Sequence, residues 1–170
     1  MQYPAIAKLF ALVMVVGCAT VGDEDPGLEV TDEDMAADAE LDAVVGDGKE
    51  DSALSYLAVA QLVKNAGVPC TGDRIAVAVA IAKAESGFRA WITNTAGNAH
   101  GTDRGLFQIN SYWHPEVSNT CAFSASCNTR AAVRISKTAT VWREWWTWKN
   151  GKHLPFMTSS RAAQTSVCEQ

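Results

Sequence analysis

Residues 75–88 have the sequence I-A-V-A-V-A-I-A-K-A-E-S-G-F. Its first eight residues are apolar on every side of a helix, so we expect a buried helix over residues 73–86. Gly87 predicts where it ends. Glu85 follows Ile81 and Ala78 by one and two helical turns, so its surroundings are apolar.

A carboxyl group in apolar surroundings keeps its proton to higher pH, because desolvation penalises the charged form and raises the pKa. Such a group can donate a proton to a departing sugar oxygen. The alternative is a helix-terminal glutamate that simply reaches solvent, as most glutamates do.

A second stretch, G-T-D-R-G-L-F-Q-I-N at residues 101–110, lies close after this helix. Residues 91–110 are rich in Gly, Asn and Thr and favour turns or a small hairpin. Further helices are predicted at residues 53–66, where Gly67 and Pro69 follow, and at residues 129–140 and 158–167. The sequence therefore predicts a mainly α domain with a small non-helical lobe.

The N-terminus has the pattern of an export signal. Lys8 precedes the apolar run L-F-A-L-V-M-V-V, which is too short for a permanent membrane span. The following V-V-G-C resembles a bacterial lipobox, which implies a signal peptide at residues 1–17 and a lipid anchor on Cys18. An ordinary cleaved signal is the alternative.

Charge divides the rest of the chain into two parts. Residues 23–51 carry 13 acidic residues, one basic residue and no aromatic residue, so we interpret residues 18–52 as a disordered acidic tether. Residues 53–170 carry 12 Lys or Arg against 6 Asp or Glu, a net of +6. A basic domain favours an anionic partner. Because the N-terminal pattern predicts export, that partner is expected to be the cell wall and not nucleic acid.

Cysteine usage agrees with export. With Cys18 set aside, four cysteines remain in the domain at residues 53–170, and they allow three disulfide connectivities. Cys121 and Cys127 could close a short loop, which would leave Cys70 to pair with Cys168. The sequence has no C-x-x-C motif and its three histidines lack ligand spacing, so neither a metal site nor a cofactor is predicted.

The segments A-K-A-E-S-G-F and G-L-F-Q-I-N together resemble the lysozyme-like superfamily, in which a helix ends in Glu-Ser and a nearby loop carries Gly-apolar-apolar-Gln-Ile. C-N-T-R-A-A-V-R-I-S and W-T-W-K-N-G are similar to later parts of bacterial lytic transglycosylase domains of the soluble type. The resemblance covers residues 53–155. It implies an α+β lysozyme-like fold with Glu85 as the general acid/base that cleaves the β-1,4 bond between N-acetylmuramic acid and N-acetylglucosamine.

The related families differ in the role of the residue at the position of Asp103. T-D-R-G-L-F-Q-I-N-S-Y-W resembles the c-type lysozymes, in which this aspartate is the second catalytic carboxylate. Lytic transglycosylases work with one glutamate, and the sugar's own acetamido and hydroxyl groups complete the reaction. Asp103 could also begin a turn or pair with Arg104. The sequence leaves a hydrolase and a transglycosylase open.

Substrate contacts are expected from residues next to these motifs. Gln108 and Asn110 are two apart on a segment predicted to be extended, so both amides should face a sugar. Trp113 offers an aromatic face for a sugar ring, whereas most other tryptophans should complete the core. The resemblance implies that Ser86 orients Glu85. We expect a monomer that acts on peptidoglycan; a non-catalytic peptidoglycan-binding lipoprotein of the same fold is the alternative.

Overall fold

The computed structural model describes residues 52–96 and 100–170. The expected signal at residues 1–17, the anchor at Cys18 and almost all of the tether at 18–52 lie outside these ranges. Within them, the helices are α1 (Tyr56–Asn65), α2 (Arg74–Ser86), α3 (Asn119–Phe123), α4 (Ala125–Ile135), α5 (Trp146–Lys149) and α6 (Met157–Cys168), and a 3-10 turn (Leu154–Phe156) precedes α6. A small sheet contains β1 (Thr93–Asn94), β2 (Asp103–Arg104) and β3 (Ile109–Asn110).

This architecture is the mainly α, α+β lysozyme-like fold that the sequence predicts. The sheet is antiparallel in the order β1-β2-β3, with Asp103 opposite Asn110 in the β2–β3 register. It forms the small lobe between α2 and the later helices. None of the helices in the described parts of the chain is long and apolar enough to span a bilayer.

Helix α2 is the centre of the core. Its residues Ile75, Ala78, Val79 and Ile81 are fully buried, and α1 and α6 both pack against it. The helix ends where Gly87 adopts a left-handed φ of 64° and donates its N–H to the carbonyl of Lys83. Glycine is favoured in this conformation because it has no Cβ to clash with the carbonyl.

Two disulfides close the domain. Cys70 pairs with Cys168 across 98 residues, which ties the start of the domain to its last helix. Cys121 pairs with Cys127 across 6 residues, which links α3 to α4. This is one of the three connectivities that the sequence allows.

The helix predicted at residues 129–140 has different bounds. It begins at Ala125, because the Ser124 hydroxyl caps its first turn by accepting from the Cys127 N–H at 3.2 Å. It ends at Ile135, and residues 137–139 follow with left-handed φ angles of 51° to 57°. The hydroxyl of Ser136 stabilises this reversal by accepting from the N–H of Ala139 at 3.1 Å. The other three helices lie within a few residues of their predicted bounds.

Candidate active site

Glu85 lines a pocket of about 270 Å³ between α2, the small sheet and the segment around α5. It is the penultimate residue of α2, so the buried helix fixes where its side chain leaves the core. The pocket is lined by three carboxylates, two amides and three tryptophans among other residues: Glu85, Asp103, Gln108, Ile109, Asn110, Trp113, His114, Glu144, Trp145 and Trp146.

Thr147 contacts Glu85 directly. Its hydroxyl donates to Oε1 of Glu85 at 2.6 Å. Thr147 lies in α5 and is buried. The hydroxyl of a buried residue therefore holds one oxygen of the Glu85 carboxyl in place.

Burial raises the pKa of Glu85 above its ordinary value, and the negative charge of Asp103 acts in the same direction. The hydrogen bonds from Thr147 and the positive charge of Lys152 oppose this shift, but burial is the largest influence and the net direction is upward. Glu85 therefore keeps its proton to higher pH than a solvent-exposed glutamate does. A carboxylic acid with this property can act as a proton donor.

Asp103 lies on β2 and faces the pocket. Its Oδ1 accepts from Nδ2 of Asn110 at 2.8 Å, across the β2–β3 register. Successive strand residues point to opposite faces. Arg104 accordingly points away from the pocket, where it is buried and its Nη1 donates to Asn119 at 2.8 Å. The structure thus places Asp103 in the pocket with Glu85 and gives its neighbour Arg104 another partner.

Gln108 and Asn110 both line the pocket, but the extended geometry predicted for Gln108 is wrong. Gln108 has a left-handed φ of 52° in a tight turn. Its Nε2 donates to the carbonyl of Gly105 at 2.8 Å, because the turn brings that carbonyl within reach. Oδ1 of Asn110 accepts from the Tyr112 N–H at 2.9 Å. Both amides therefore hold the loop in shape as well as border the pocket.

Ser86 does not line the pocket. It is buried. Its hydroxyl donates to the carbonyl of Ala82 at 3.1 Å and accepts from the Phe88 N–H at 3.1 Å. These bonds close the end of α2 around Gly87. The substrate contact expected of Ser86 is therefore wrong: its hydroxyl bonds to a carbonyl one turn back in α2 and supplies an acceptor for the Phe88 N–H just beyond the helix.

Only two of the five tryptophans other than Trp113 are buried, so the expectation that most of them complete the core is wrong. Trp142 and Trp145 are buried in the core. Trp113 and Trp146 are 67% and 59% exposed and line the pocket, so each offers an indole face beside Glu85 and Asp103. Aromatic faces of this kind pack against the C–H faces of sugar rings.

The loop of residues 105–110 is fixed from two sides. Asn128 is fully buried; its Oδ1 accepts from the Phe107 N–H at 2.8 Å, and its Nδ2 donates to the carbonyls of Arg104 and Ala122 at 3.2 and 2.9 Å. Nε1 of Trp145 donates to the Phe107 carbonyl at 2.8 Å. The backbone of the loop is therefore held by side chains from α4 and from the residue before α5.

Gly105 allows this loop to approach α3. Its φ is +75°, and a Cβ added there would lie 1.8 Å from the carbonyl oxygen of Ala122. No other residue type fits so close to a carbonyl group without moving the backbone.

Sequence reasoning missed Thr147, which bonds to Glu85, and five residues of the pocket wall: Ile109, His114, Glu144, Trp145 and Trp146. The segment W-T-W-K-N-G marked the region, but no local pattern assigned Thr147 a contact with a residue 62 positions earlier. In the described ranges, no cluster of three or more His, Cys, Asp or Glu side chains could hold a metal ion.

A buried helix that ends in an acid, beside a small sheet and a cleft, is the arrangement that the resemblance to the lysozyme-like superfamily implies. Comparison with protein families agrees: a family described as "Lysozyme like domain" matches residues 60–147, slightly more than half of the 170-residue chain, and the protein belongs to this family. Its lytic transglycosylase-type fold indicates peptidoglycan-related glycosidase activity in general, and therefore a location outside the cytoplasm. No curated protein and no solved structure matches the chain.

Proposed function

We propose that this protein cleaves the glycan strands of peptidoglycan at the β-1,4 bond between N-acetylmuramic acid and N-acetylglucosamine, as a lytic transglycosylase or a muramidase. One observation carries the proposal: the partly buried carboxyl of Glu85, with its raised pKa, faces a pocket that also contains Asp103 and two exposed indoles. A buried acid beside sugar-binding surfaces is what glycosidic bond cleavage requires.

Glu85 acts as the general acid/base. Its proton passes to the glycosidic oxygen while the bond between that oxygen and the anomeric carbon breaks, and the leaving sugar departs as a neutral alcohol. The Glu85 carboxylate then accepts a proton from the attacking hydroxyl, which restores the acid. That hydroxyl belongs to water in a muramidase and to the muramic acid itself in a transglycosylase, where a 1,6-anhydro ring forms.

Asp103 distinguishes the two routes. In a retaining muramidase it is the second carboxylate, which attacks or stabilises the anomeric carbon. In a transglycosylase the acetamido group of the sugar takes that part, and the charge of Asp103 is dispensable for bond cleavage. Trp113, Gln108 and Asn110 supply the binding surface in either case, because they border the same pocket.

The test compares the wild type with Glu85→Gln on purified peptidoglycan, followed by mass analysis of the soluble products. Glu85→Gln keeps the shape of the side chain and removes its proton-donating chemistry, so release of glycan fragments should fall by at least about 100-fold while binding to sacculi persists. Glu169→Gln, at the exposed end of α6, is the matched control and should behave as the wild type.

The products identify the reaction. Anhydro-muramic ends indicate a transglycosylase and reducing ends a muramidase, and Asp103→Asn should abolish turnover only in the muramidase. A wild type that pellets with sacculi but releases nothing would instead make the protein a peptidoglycan-binding module.

The sequence supports a membrane-tethered place for this activity. An acyl group on Cys18 and the acidic tether to residue 52 would let the catalytic domain reach wall polymer tens of ångströms from the membrane. Cys18→Ser should move the protein from the membrane fraction to the soluble extracytoplasmic fraction. A wild type that is already in the soluble extracytoplasmic fraction would argue for an ordinary cleaved signal.

A further inference from the structure

Thr147 reaches Glu85 from a distant part of the chain, and its hydroxyl is directed at one oxygen of the carboxyl group. The donor and acceptor are 62 residues apart, and the bond of 2.6 Å is made to Oε1. A carboxyl oxygen that accepts a short hydrogen bond is disfavoured as the site of the acidic proton, because the donor hydrogen already occupies it. The proton of Glu85 is thereby left to Oε2.

The backbone of Thr147 is itself fixed. Its carbonyl accepts from the N–H of Lys152 at 2.9 Å and contacts Nδ1 of His153 at 3.3 Å. Since a carbonyl oxygen only accepts, this contact requires the proton of His153 to be on Nδ1. His153 is buried and stacks on Trp148 with ring centroids 4.6 Å apart, so the turn after α5 cannot shift without losing these contacts.

We propose that Thr147 is the positioning residue for the proton donor: its hydroxyl selects which oxygen of Glu85 carries the proton that is delivered to the glycosidic bond. This proposal rests on the function proposed above. It assigns to the segment 147–153 the task of orienting an acid that lies on α2, and it gives His153 a supporting task through the Thr147 carbonyl.

Removing the hydroxyl should change two observables in opposite directions. Hydrogen bonding by Thr147 and the positive charge of Lys152 both favour the ionised form of Glu85. Burial and the negative charge of Asp103 on β2 both favour the protonated form. His114 and Glu144 face the same pocket and are unchanged by the substitution. Without the hydroxyl, the pKa of Glu85 rises further, so the high-pH limb of the activity profile should move upward by about one pH unit.

The maximal rate should fall at the same time, by about tenfold or more, because the proton is no longer confined to one oxygen. A residue that only supported the fold would lower activity without moving the limb to higher pH. The combination of a slower reaction and an extended high-pH range is therefore diagnostic.

The experiment uses Thr147→Val, which replaces the hydroxyl by a methyl group of similar size, and Thr147→Ser, which restores the hydroxyl. Thr129→Val is the matched control: Thr129 is fully buried and its hydroxyl donates to the Ala125 carbonyl at 2.7 Å, away from the pocket. Should the valine variant fail to fold, Thr147→Ala removes the same hydroxyl without adding an apolar methyl group.

Two readouts separate this proposal from the function on which it rests. The first is the pH profile of glycan cleavage. The second is the titration of Glu85 followed by carbon-13 NMR of labelled glutamate in the substrate-free protein, which needs no activity. We expect the Glu85 titration to move upward in Thr147→Val, to return in Thr147→Ser, and to remain at the wild-type value in Thr129→Val.

An unchanged Glu85 titration in both Thr147→Val and Thr147→Ala would overturn the proposal, whatever the activity. A wild type that cleaves no glycan would instead overturn the proposed function, while the NMR titration still reports whether Thr147 acts on Glu85.

Discussion

Replacing Asn128 by aspartate tests what holds the loop of residues 105–110 in place. The substitution keeps the size and shape of a fully buried side chain and keeps the oxygen that accepts from the Phe107 N–H. It removes the two amide hydrogens that are donated to the carbonyls of Arg104 and Ala122. At neutral pH a carboxylate oxygen would face two carbonyl oxygens, and neither side could supply a proton.

The expected cost follows from these contacts. Removing the donor to a buried carbonyl costs about 1–3 kcal/mol, so the two lost bonds together give about 2–6 kcal/mol, and we expect about 4 kcal/mol. A domain of this size has a free energy of unfolding of about 5–15 kcal/mol. Asn128→Asp should therefore remove a large share of the stability, and it should disturb the pocket before the domain unfolds, since Gln108 lies in the released loop.

The loss should depend on pH in a defined direction. Burial beside two carbonyls raises the pKa of the introduced carboxyl above the usual aspartate value of about 3.9, and its protonated form supplies one O–H donor. The folded variant then binds more protons than the unfolded chain, so its stability relative to the wild type falls as pH rises through that window. The deficit should be smallest near pH 4 and fully developed at neutral pH.

Urea unfolding followed by tryptophan fluorescence between pH 4 and pH 7 measures this difference. Asn65→Asp is the matched control, because Asn65 is exposed at the end of α1, where a new negative charge costs about 0.3–1 kcal/mol. A deficit for Asn128→Asp no larger than that of the control, or one that shrinks as pH rises, would refute the account of the loop.

Three further substitutions test other features. Glu85→Gln should be more stable than the wild type at neutral pH. Burial raises the pKa of Glu85, so the folded wild type holds a proton that the unfolded chain releases near pH 4.5. The difference in unfolding free energy between the two proteins, measured by urea unfolding, should therefore increase as the pH rises above that value. Gly105→Ala should lower the free energy of unfolding by more than about 3 kcal/mol, because its Cβ would overlap a carbonyl oxygen at 1.8 Å. Gly67→Ala, where φ is +90° and the space is open, should lower it by only about 1 kcal/mol through left-handed backbone strain. Thermal melts of both variants measure this difference. The double substitution Cys70→Ser and Cys168→Ser should lower the free energy of unfolding by about 4–5 kcal/mol, since the disulfide closes a loop of 98 residues. Equal melting temperatures for the wild type and the double variant would contradict this.

The helical framework could be predicted from the sequence because its signals are local. The apolar run in α2 and the glycine after it set the bounds of that helix within one residue. The end of α4 had no such signal: residues 137–139 are left-handed although none is glycine. Their conformation depends on hydrogen bonds that Ser136 accepts and on packing against other elements, which periodicity does not reveal.

The candidate site was predictable only where its residues lie in motifs. Glu85, Asp103, Gln108, Asn110 and Trp113 all border the pocket, as the two motif segments indicated. The partner of Glu85 could not be predicted, because a contact over 62 residues depends on how α5 packs against α2. Ser86 shows the opposite error: adjacency in sequence suggested a role beside the acid, but successive helix residues are about 100° apart and Ser86 points into the core.

The covalent link between Cys70 and Cys168 encloses every residue assigned to the pocket, from Glu85 to Thr147 and beyond. A protease that hydrolyses one peptide bond anywhere within this ring opens the chain without releasing a fragment. The cleaved domain should thus migrate as one species on a non-reducing gel and as two fragments once a thiol is added. A single proteolytic cleavage therefore does not separate the two sides of the pocket.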